Sequence, residues 1–473
     1  MSKKNGTDAS HIVEKNQIVE VTIDDIGNDG EGIGKYNGYT LFIKDAVAGD
    51  VVRAKVLKTK KAFGFAKVEE IISPSPYRVT PRCDLAAKCG GCQIQQISYE
   101  KQLAYKQQKV YNCFKRIGGF ENPELEPIVG MDEPYHYRNK SQFPVGADRD
   151  GKPVLGFYAG RTHTIIDTSH CYIGDTLNAF MIKTVKEFLA KYGVKPYNEE
   201  THTGLVRHIL TRVGATTGEV MVCVIINGND LPHKEELVEA LKDLSMADDK
   251  YHLTSVCLNV NTEKTNVILG KKVIPVYGET YITDYIGDIK YQISPLSFFQ
   301  VNPVQTKKLY DLALEYADLH GNETVWDLYC GIGTISLFLA KQAKQVCGVE
   351  IVPEAIEDAK HNAMLNQIEN AEFFVGAAEE VMPQKYAESN DSLRADVIVV
   401  DPPRKGCEES LLDTIIKMNP ARVVYVSCDP ATLARDARYL CDRGYEVKRI
   451  RPVDQFPHSV HVETVCLLER SKA

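Results

Sequence analysis

Residues 425–430, Tyr-Val-Ser-Cys-Asp-Pro, put Cys428 at the end of an apolar run, with His461-Val462-Glu463 further along the chain. A cysteine and a glutamate invite one kind of chemistry. A thiolate can add to an electron-poor carbon, and a carboxylate can carry a proton to or from the product of that addition. Ahead of them stand a nucleotide-type fingerprint at 326–333 and Asp401-Pro402-Pro403, so the pair would act on a substrate presented to a bound cofactor. The bland alternative is a buried structural cysteine, since free cysteine is among the most buried residue types.

The fingerprint, Trp326-Asp327-Leu328-Tyr329-Cys330-Gly331-Ile332-Gly333-Thr334, reads as a strand running into a glycine turn and a helix. Glycines let the backbone approach a ligand, and the helix N-terminus favours a negative group. Ser336 stands where a dinucleotide pattern has its third glycine, and Glu350 ends the next strand, placed to accept hydrogen bonds from ribose hydroxyls. Asp401-Pro402-Pro403 ends a later strand, its prolines stiffening the loop where open α/β sheets bind ligands. Amino-group methyltransferases resemble this with an aromatic residue after two prolines; Arg404 in that place argues against an exocyclic nitrogen target.

A second cluster is Cys83-x5-Cys89-x2-Cys92, with Cys171 distant. In a cytosolic chain this points to a metal or cluster site, and spacing alone leaves zinc and iron–sulfur open. The C-x3-C-x2-C spacing of radical donors is absent.

The elements that must position these residues follow from length and pattern. At 473 residues the chain suggests roughly three domains. An odd thirteen cysteines argue against a disulfide framework. The start MSKKNGTDAS is polar and no apolar run approaches the ~20 residues of a membrane span, which implies a cytoplasmic protein with no membrane partner. Residues 1–14 read as a disordered tail. Residues 15–73 read as a small barrel with strands Ile18–Ile23, Tyr39–Ile43, Val51–Val56 and Phe65–Ile71. Net charge is −8, yet residues 51–68 carry Arg53, Lys55, Lys58, Lys60, Lys61 and Lys67 with Phe63 and Phe65 and no acid. That mixture suits phosphate contacts and base stacking, or a solvated strand face. Residues 74–297 form a mixed α/β middle domain, whose helix near 99–125 could pack on the catalytic domain. It includes strands Val220–Ile226, Ser255–Val260 and Asn266–Leu269 and helices Thr176–Tyr192 and Lys234–Leu244. From 298 to 473, strands and helices alternate, which implies a doubly wound parallel sheet.

With Ser297-Phe298-Phe299-Gln300-Val301-Asn302, the fingerprint, Asp401-Pro402-Pro403-Arg404-Lys405-Gly406, Ser427-Cys428-Asp429-Pro430 and His461-Val462-Glu463 in order, the chain strongly resembles the RNA uracil-C5 methyltransferase family. Residues 15–72 resemble the TRAM domain, a small RNA-binding barrel, and the cysteine cluster is similar to that of the family's ribosomal-RNA branch. The resemblance implies S-adenosylmethionine as methyl donor and a class I, Rossmann-like catalytic domain. It implies Cys428 as the nucleophile on uracil carbon 6 and Glu463 as the base for the carbon-5 proton. Gln300, Tyr329, Glu350 and Asp401 would line the donor site. Phe298 would stack on a flipped base, core packing being its alternative, and Asp401 or Gln300 would read the base's polar edge. Ala377 stands where some relatives carry a donor-contacting Asn, so that contact is not carried over. Cys83, Cys89, Cys92 and Cys171 would hold a [4Fe–4S] cluster. The substrate implied is 23S ribosomal RNA or its precursor particle; oligomeric state is left open. The rivals are methylation of the T-loop of transfer RNA and, in a different class, a non-catalytic RNA-binding or folding protein.

Overall fold

The computed structural model describes residues 13–244, 248–390 and 392–471. Of these, the residues up to Lys106 together with Phe456–Val460 form one compact unit, and those of Gln107–Gln455 with those from His461 onward form a second.

In the first unit β1 (Ile18–Ile26), β2 (Gly32–Tyr36), β3 (Tyr39–Lys44), β4 (Val51–Thr59) and β5 (Phe63–Ser73) close a barrel in the order β1-β2-β3-β5-β4. Alternate residues Val19, Val21 and Ile23 of β1 point into its core with Leu41, Ile43, Val52 and Val56. The sequence suggests four strands; the fifth, β2, hides behind glycines that resemble turn signals. Gly34 faces Ile23 across the pair. A Cβ there would stand 2.4 Å from both the Thr22 carbonyl oxygen and the Val21 side chain, so this glycine permits close strand approach rather than a turn. The tail expected at 1–14 lies outside the described residues as far as residue 12, whereas Val13 is 2% exposed and part of the barrel core. The basic stretch is less uniform than it reads: Arg53 pairs with Glu70 and Lys67 with Glu69 on the exposed surface. Phe42, Phe63 and Phe65 form a three-ring cluster. Helix α1 (Tyr99–Arg116) begins in the first unit and continues past Lys106 into the second.

The second unit holds two seven-stranded sheets. The first takes β6 (Lys140–Ala147), β7 (Pro153–Tyr158), β8 (Ile165–Asp167), β9 (Val206–Val213), β10 (Glu219–Ile226), β11 (His252–Val260) and β12 (Lys272–Gly278) in the order β12-β11-β10-β9-β6-β7-β8. Helices α2 (Asn178–Tyr192) and α3 (Lys234–Leu241) cover it with an apolar core. The strand expected at Asn266–Leu269 is not formed. Side-chain amides satisfy that segment instead: Asn261 Nδ2 donates to the carbonyls of Val267 and Ile268 at 2.7 and 2.9 Å, and Asn259 Nδ2 to that of Gly270 at 2.8 Å. The ladder strand is β12, a few residues later.

A hairpin, β13 (Ile282–Ile286) and β14 (Ile289–Ile293), packs Ile282, Ile286, Ile289 and Tyr291 into the core of the catalytic layer. That layer comprises α4 (Pro303–Ala317), β15 (Thr324–Leu328), α5 (Thr334–Ala340), β16 (Gln345–Glu350), α6 (Pro353–Leu365), β17 (Ala371–Val375), α7 (Ala378–Glu388) and β18 (Val397–Val400). It continues with α8 (Glu409–Met418), β19 (Arg422–Ser427), α9 (Pro430–Cys441), β20 (Tyr445–Val453) and β21 (Glu463–Arg470). Sheet order is β17-β16-β15-β18-β19-β21-β20. The first five strands run parallel, as the strand–helix alternation implies, and β21 enters antiparallel between β19 and β20. The order reverses between β15 and β18, and such a switch point opens a crevice at the carboxyl ends of the strands.

Candidate active site

On one side of the switch point the chain leaves β15 through three residues in the left-handed region: Tyr329 (φ 82°), Gly331 (φ 54°) and Gly333 (φ 82°). Glycine tolerates this freely; Tyr329 does not, and non-glycine strain of this kind gathers at functional sites. The turn is held by the Tyr329 and Cys330 N–H groups, both donating to the Val349 carbonyl at 3.0 Å. Glu350 braces it from β16. Its carboxylate accepts from the N–H of Gly331 at 3.3 Å and from those of Ile351 and Val352 at 2.8 and 3.1 Å. Ser336, the departure from the glycine pattern, has a task of its own: its Oγ donates to Asp327 Oδ2 at 2.5 Å. The other oxygen, Asp327 Oδ1, is buried without a hydrogen-bond partner. Burial pushes the Asp327 carboxyl up to about 7, with Ser336 opposing and Glu350 adding to the rise. Beyond the strand ends, Ile351, Val352 and Val375 expose apolar side chains, and Glu350 and Val375 are paired in register.

On the other side, strand pairing brings the thiol and the second carboxylate together. Ser427 of β19 is opposite Thr464 of β21, the last pair of that ladder, so the next residues, Cys428 and Glu463, come beside each other where the two strands end. Asp429 caps α9, accepting from the N–H groups of Ala431 and Thr432 at 2.9 and 3.3 Å. Cys428 therefore sits just before a helix N-terminus, where the dipole favours a thiolate. Other forces oppose it: burial, then Glu463 and Asp401, push the thiol up to about 12, while Arg404 pulls it down. Glu463 is buried, and its carboxyl is raised well above the carboxylate range by burial and then by Asp401, against Arg404. Asp401 is raised by burial and then by Asp327. Cys428, Glu463, Asp401 and Asp327 thus form one chain of interacting acids across the switch point.

The segment before α4 is fixed at several points. Asn302 caps α4, its side chain accepting from the Gln305 N–H at 3.2 Å and donating to the Gln455 carbonyl at 3.0 Å. Ser297 Oγ donates to Asp358 at 2.9 Å, and buried Arg212 donates to the Ser297 carbonyl. Between these anchors Gln300 is buried and Phe298 is 70% exposed. Core packing falls to its neighbour Phe299, 3% exposed and 5.8 Å from the Tyr291 ring. The side chain of Tyr329 packs among apolar residues on the α7–α8 side of the sheet. Ala377, where some relatives carry Asn, precedes α7 without a side-chain cap.

Cys83, Cys89 and Cys92 lie on a turn-rich loop of the first unit and Cys171 in the second; all four are partly accessible. Among the described residues no group of three or more His, Cys, Asp or Glu side chains is drawn together so as to hold a metal ion.

Two groups were not singled out from the sequence. Ser336 was legible only as a missing glycine. Asp436 on α9 is fully buried and accepts from the Cys407 N–H at 2.9 Å, Tyr425 Oη at 2.7 Å and Arg435 Nε at 2.7 Å, tying the loop after Asp401 to β19 and α9. An aspartate inside a helix carries no local signal of that role.

Among the described residues no helix is long and apolar enough to cross a membrane. The tRNA (uracil-5-)-methyltransferase family model matches residues 98–471, and the TRAM domain model matches residues 13–68. A relative from Halalkalibacterium halodurans, named as an uncharacterized RNA methyltransferase, is 54% identical over 457 residues, covering 97% of this chain and 98% of its own. A Clostridium tetani protein of the same description is 48% identical, covering 96% and 97%. The crystal structure of Pyrococcus abyssi tRNA (uracil-54, C5)-methyltransferase with S-adenosyl-L-homocysteine is 28% identical and superposes with a TM-score of 0.75, covering 95% of this chain and all of that one. With a TRAM barrel ahead of a doubly wound catalytic sheet, and matches spanning most of its length, the chain belongs to the tRNA (uracil-5-)-methyltransferase family of RNA methyltransferases.

Proposed function

We propose that the protein methylates carbon 5 of specific uridines in 23S ribosomal RNA, in the cytoplasm, through a covalent adduct between Cys428 and carbon 6. The observation that supports the chemistry of this reading is the register of β19 against β21, which brings Cys428 beside Glu463; the N-terminal barrel and the four cysteines favour the ribosomal substrate. Carbon 5 of uracil is a poor nucleophile. Addition of the Cys428 thiolate to carbon 6 moves electrons onto the O4 enolate and makes carbon 5 reactive toward a methyl cation equivalent. After methylation, Glu463 takes the carbon-5 proton, the ring double bond re-forms and the thiolate leaves. The uridine must leave its stack to be reached, and exposed Phe298 offers a face for it.

S-adenosylmethionine, when bound, supplies the electrophilic methyl group. The residues at the switch point suit it: the unpartnered Asp327 Oδ1, the left-handed turn at 329–333, Glu350 and the exposed apolar side chains of Ile351 and Val375 offer polar and apolar partners to a nucleoside. Gln300, Tyr329, Glu350 and Asp401 are its proposed contacts. The tRNA activity of the Pyrococcus neighbour supports a second reading, methylation of the T-loop of transfer RNA. Mass-spectrometric mapping of 5-methyluridine in cells with and without the gene decides. Loss from 23S RNA supports the first reading, loss from transfer RNA alone the second, and loss from neither removes both and favours a binding protein.

Cys83, Cys89, Cys92 and Cys171 are the proposed ligands of a [4Fe–4S] cluster. The donor set suits the group in chemistry, being four thiols of which three are closely spaced in the sequence. Its role would be structural, since methyl transfer by the thiolate route moves no electron. Anaerobically purified protein is expected to be brown with about four irons per chain. Colourless, zinc-loaded protein from the same preparation overturns the assignment.

A further inference from the structure

Among the described residues β14 pairs with β13 alone, so the backbone groups of its other edge must be satisfied by something else. Side chains of α6 take that place. Asn366 Oδ1 accepts from the Lys290 N–H at 2.8 Å, and its Nδ2 donates to the Lys290 carbonyl at 2.7 Å. Asn362 Oδ1 accepts from the Gln292 N–H at 3.0 Å. Beyond the strand, Asp358 Oδ2 accepts from Ser297 Oγ at 2.9 Å. Positions 358, 362 and 366 are four apart and lie along one face of the helix. That face and the chain from Lys290 to Ser297 are zipped together in opposite directions.

The same face grips the turn at the carboxyl end of β15. Asn362 is fully buried, and its Nδ2 donates to the Ile332 carbonyl at 3.3 Å, between the two left-handed glycines. A Cβ at Gly333 would stand 3.3 Å from the Cβ of Ala359, so the turn lies directly against the helix. Two tyrosines hold it from the same side. Tyr291 Oη of β14 donates to the Thr334 carbonyl at 3.0 Å, and Tyr310 Oη of α4 donates to Thr334 Oγ1 at 3.0 Å. A buried amide costs free energy unless both its ends are satisfied, and an apolar residue would pack helix on hairpin without that cost. Asn362 joins two backbones instead: the turn, and the strand that leads into Phe298. One helical turn away, Asp358 holds the residue directly before Phe298.

We propose that Asp358 and Asn362 are positioning residues for methyl transfer: one face of α6 holds the segment that presents Phe298 and the turn at 329–333 at a single fixed spacing. The inference rests on the reading that the donor lies at that turn and the uridine at Phe298. Methyl transfer depends on alignment, and a misplacement of about 1 Å can cost on the order of 10²-fold in rate. Two loops tied one turn apart on a helix keep their spacing better than two loops that meet only each other.

The test uses full-length protein and RNA from cells lacking the gene. Asp358→Ala, at a half-buried helical position that suits alanine, cuts the tie to Ser297. Its single-turnover methylation rate at saturating donor and RNA is expected to fall by about 10–10²-fold. Its affinity for S-adenosyl-L-homocysteine, measured by calorimetry without RNA, is expected to stay at the wild-type value. Asp358→Asn keeps an acceptor for Ser297 Oγ and is expected to restore most of the rate. Asn362→Ala releases the turn itself, so its affinity for S-adenosyl-L-homocysteine is expected to fall by about 3–10-fold. A wild-type rate in Asp358→Ala, or wild-type affinity in Asn362→Ala, overturns the proposal. So does a lowered Tm in Asp358→Ala with no rescue of the rate by Asp358→Asn, which makes the bond a stabilising contact only. Wild-type protein that binds no S-adenosyl-L-homocysteine is a different failure: it removes the reading on which the inference rests.

Discussion

Cys428→Ala protein is expected to lose methylation by on the order of 10⁴-fold or more and to form no covalent adduct with RNA carrying 5-fluorouridine at the target. The size follows from the chemistry: without addition at carbon 6 the uracil ring offers no carbanion at carbon 5, and no other group of the site can substitute. Cys330, the nearest alternative in sequence to the cofactor turn, is buried, and burial raises its thiol further. Fluorine at carbon 5 cannot leave as a proton, so wild-type protein should stall as a species stable to denaturation. Adduct formation by Cys428→Ala would move the nucleophile elsewhere.

Glu463→Gln separates the two halves of the reaction. Addition and methyl transfer need no base at carbon 5, whereas elimination does. The variant is expected to accumulate protein–RNA adduct on ordinary uridine while turnover falls by roughly 10²–10⁴-fold. The amide is nearly the same size and carries no charge. It therefore also removes one of the carboxylates that raise the Cys428 thiol, which favours the first step further. Normal turnover would transfer the role to another group, of which Asp401 is the nearest in the same chain of acids.

How much of this was legible depended on how each residue's surroundings announce themselves. The parallel strands β15, β16, β18 and β19 are short and buried on both faces, so they stand out as apolar runs between helices, and the motifs at their carboxyl ends could be placed from the sequence. Strand β9 is buried along its whole length although it contains Arg207, His208 and Arg212, and those charges mask it. Helix α7 carries Pro383 and only a weakly apolar face, so its sequence shows no clear helical stripe. Helix α4 does carry a signal, Asn302-Pro303 as cap and first turn ahead of the buried Leu309, Leu312 and Tyr316. At the site, residue types were readable and partnerships were not. That Cys428 faces Glu463 depends on β21 entering the sheet beside β19, and that Phe298 rather than Phe299 is exposed depends on how one loop is pinned.

The insertion of β21 between β19 and β20 also orders the assembly of the protein. β20 precedes β21 in the chain and pairs within the sheet with β21 alone, its other side accepting from the N–H groups of Glu126 and Val129, and until β21 arrives the apolar strand Arg422–Ser427 presents an open edge. Such an edge invites pairing with other chains, so the interval before closure is when this domain is most exposed to aggregation and most in need of a chaperone. The same event that seals the edge delivers Glu463 to Cys428. A molecule that has not yet placed β21 therefore holds the proposed nucleophile without the proposed base.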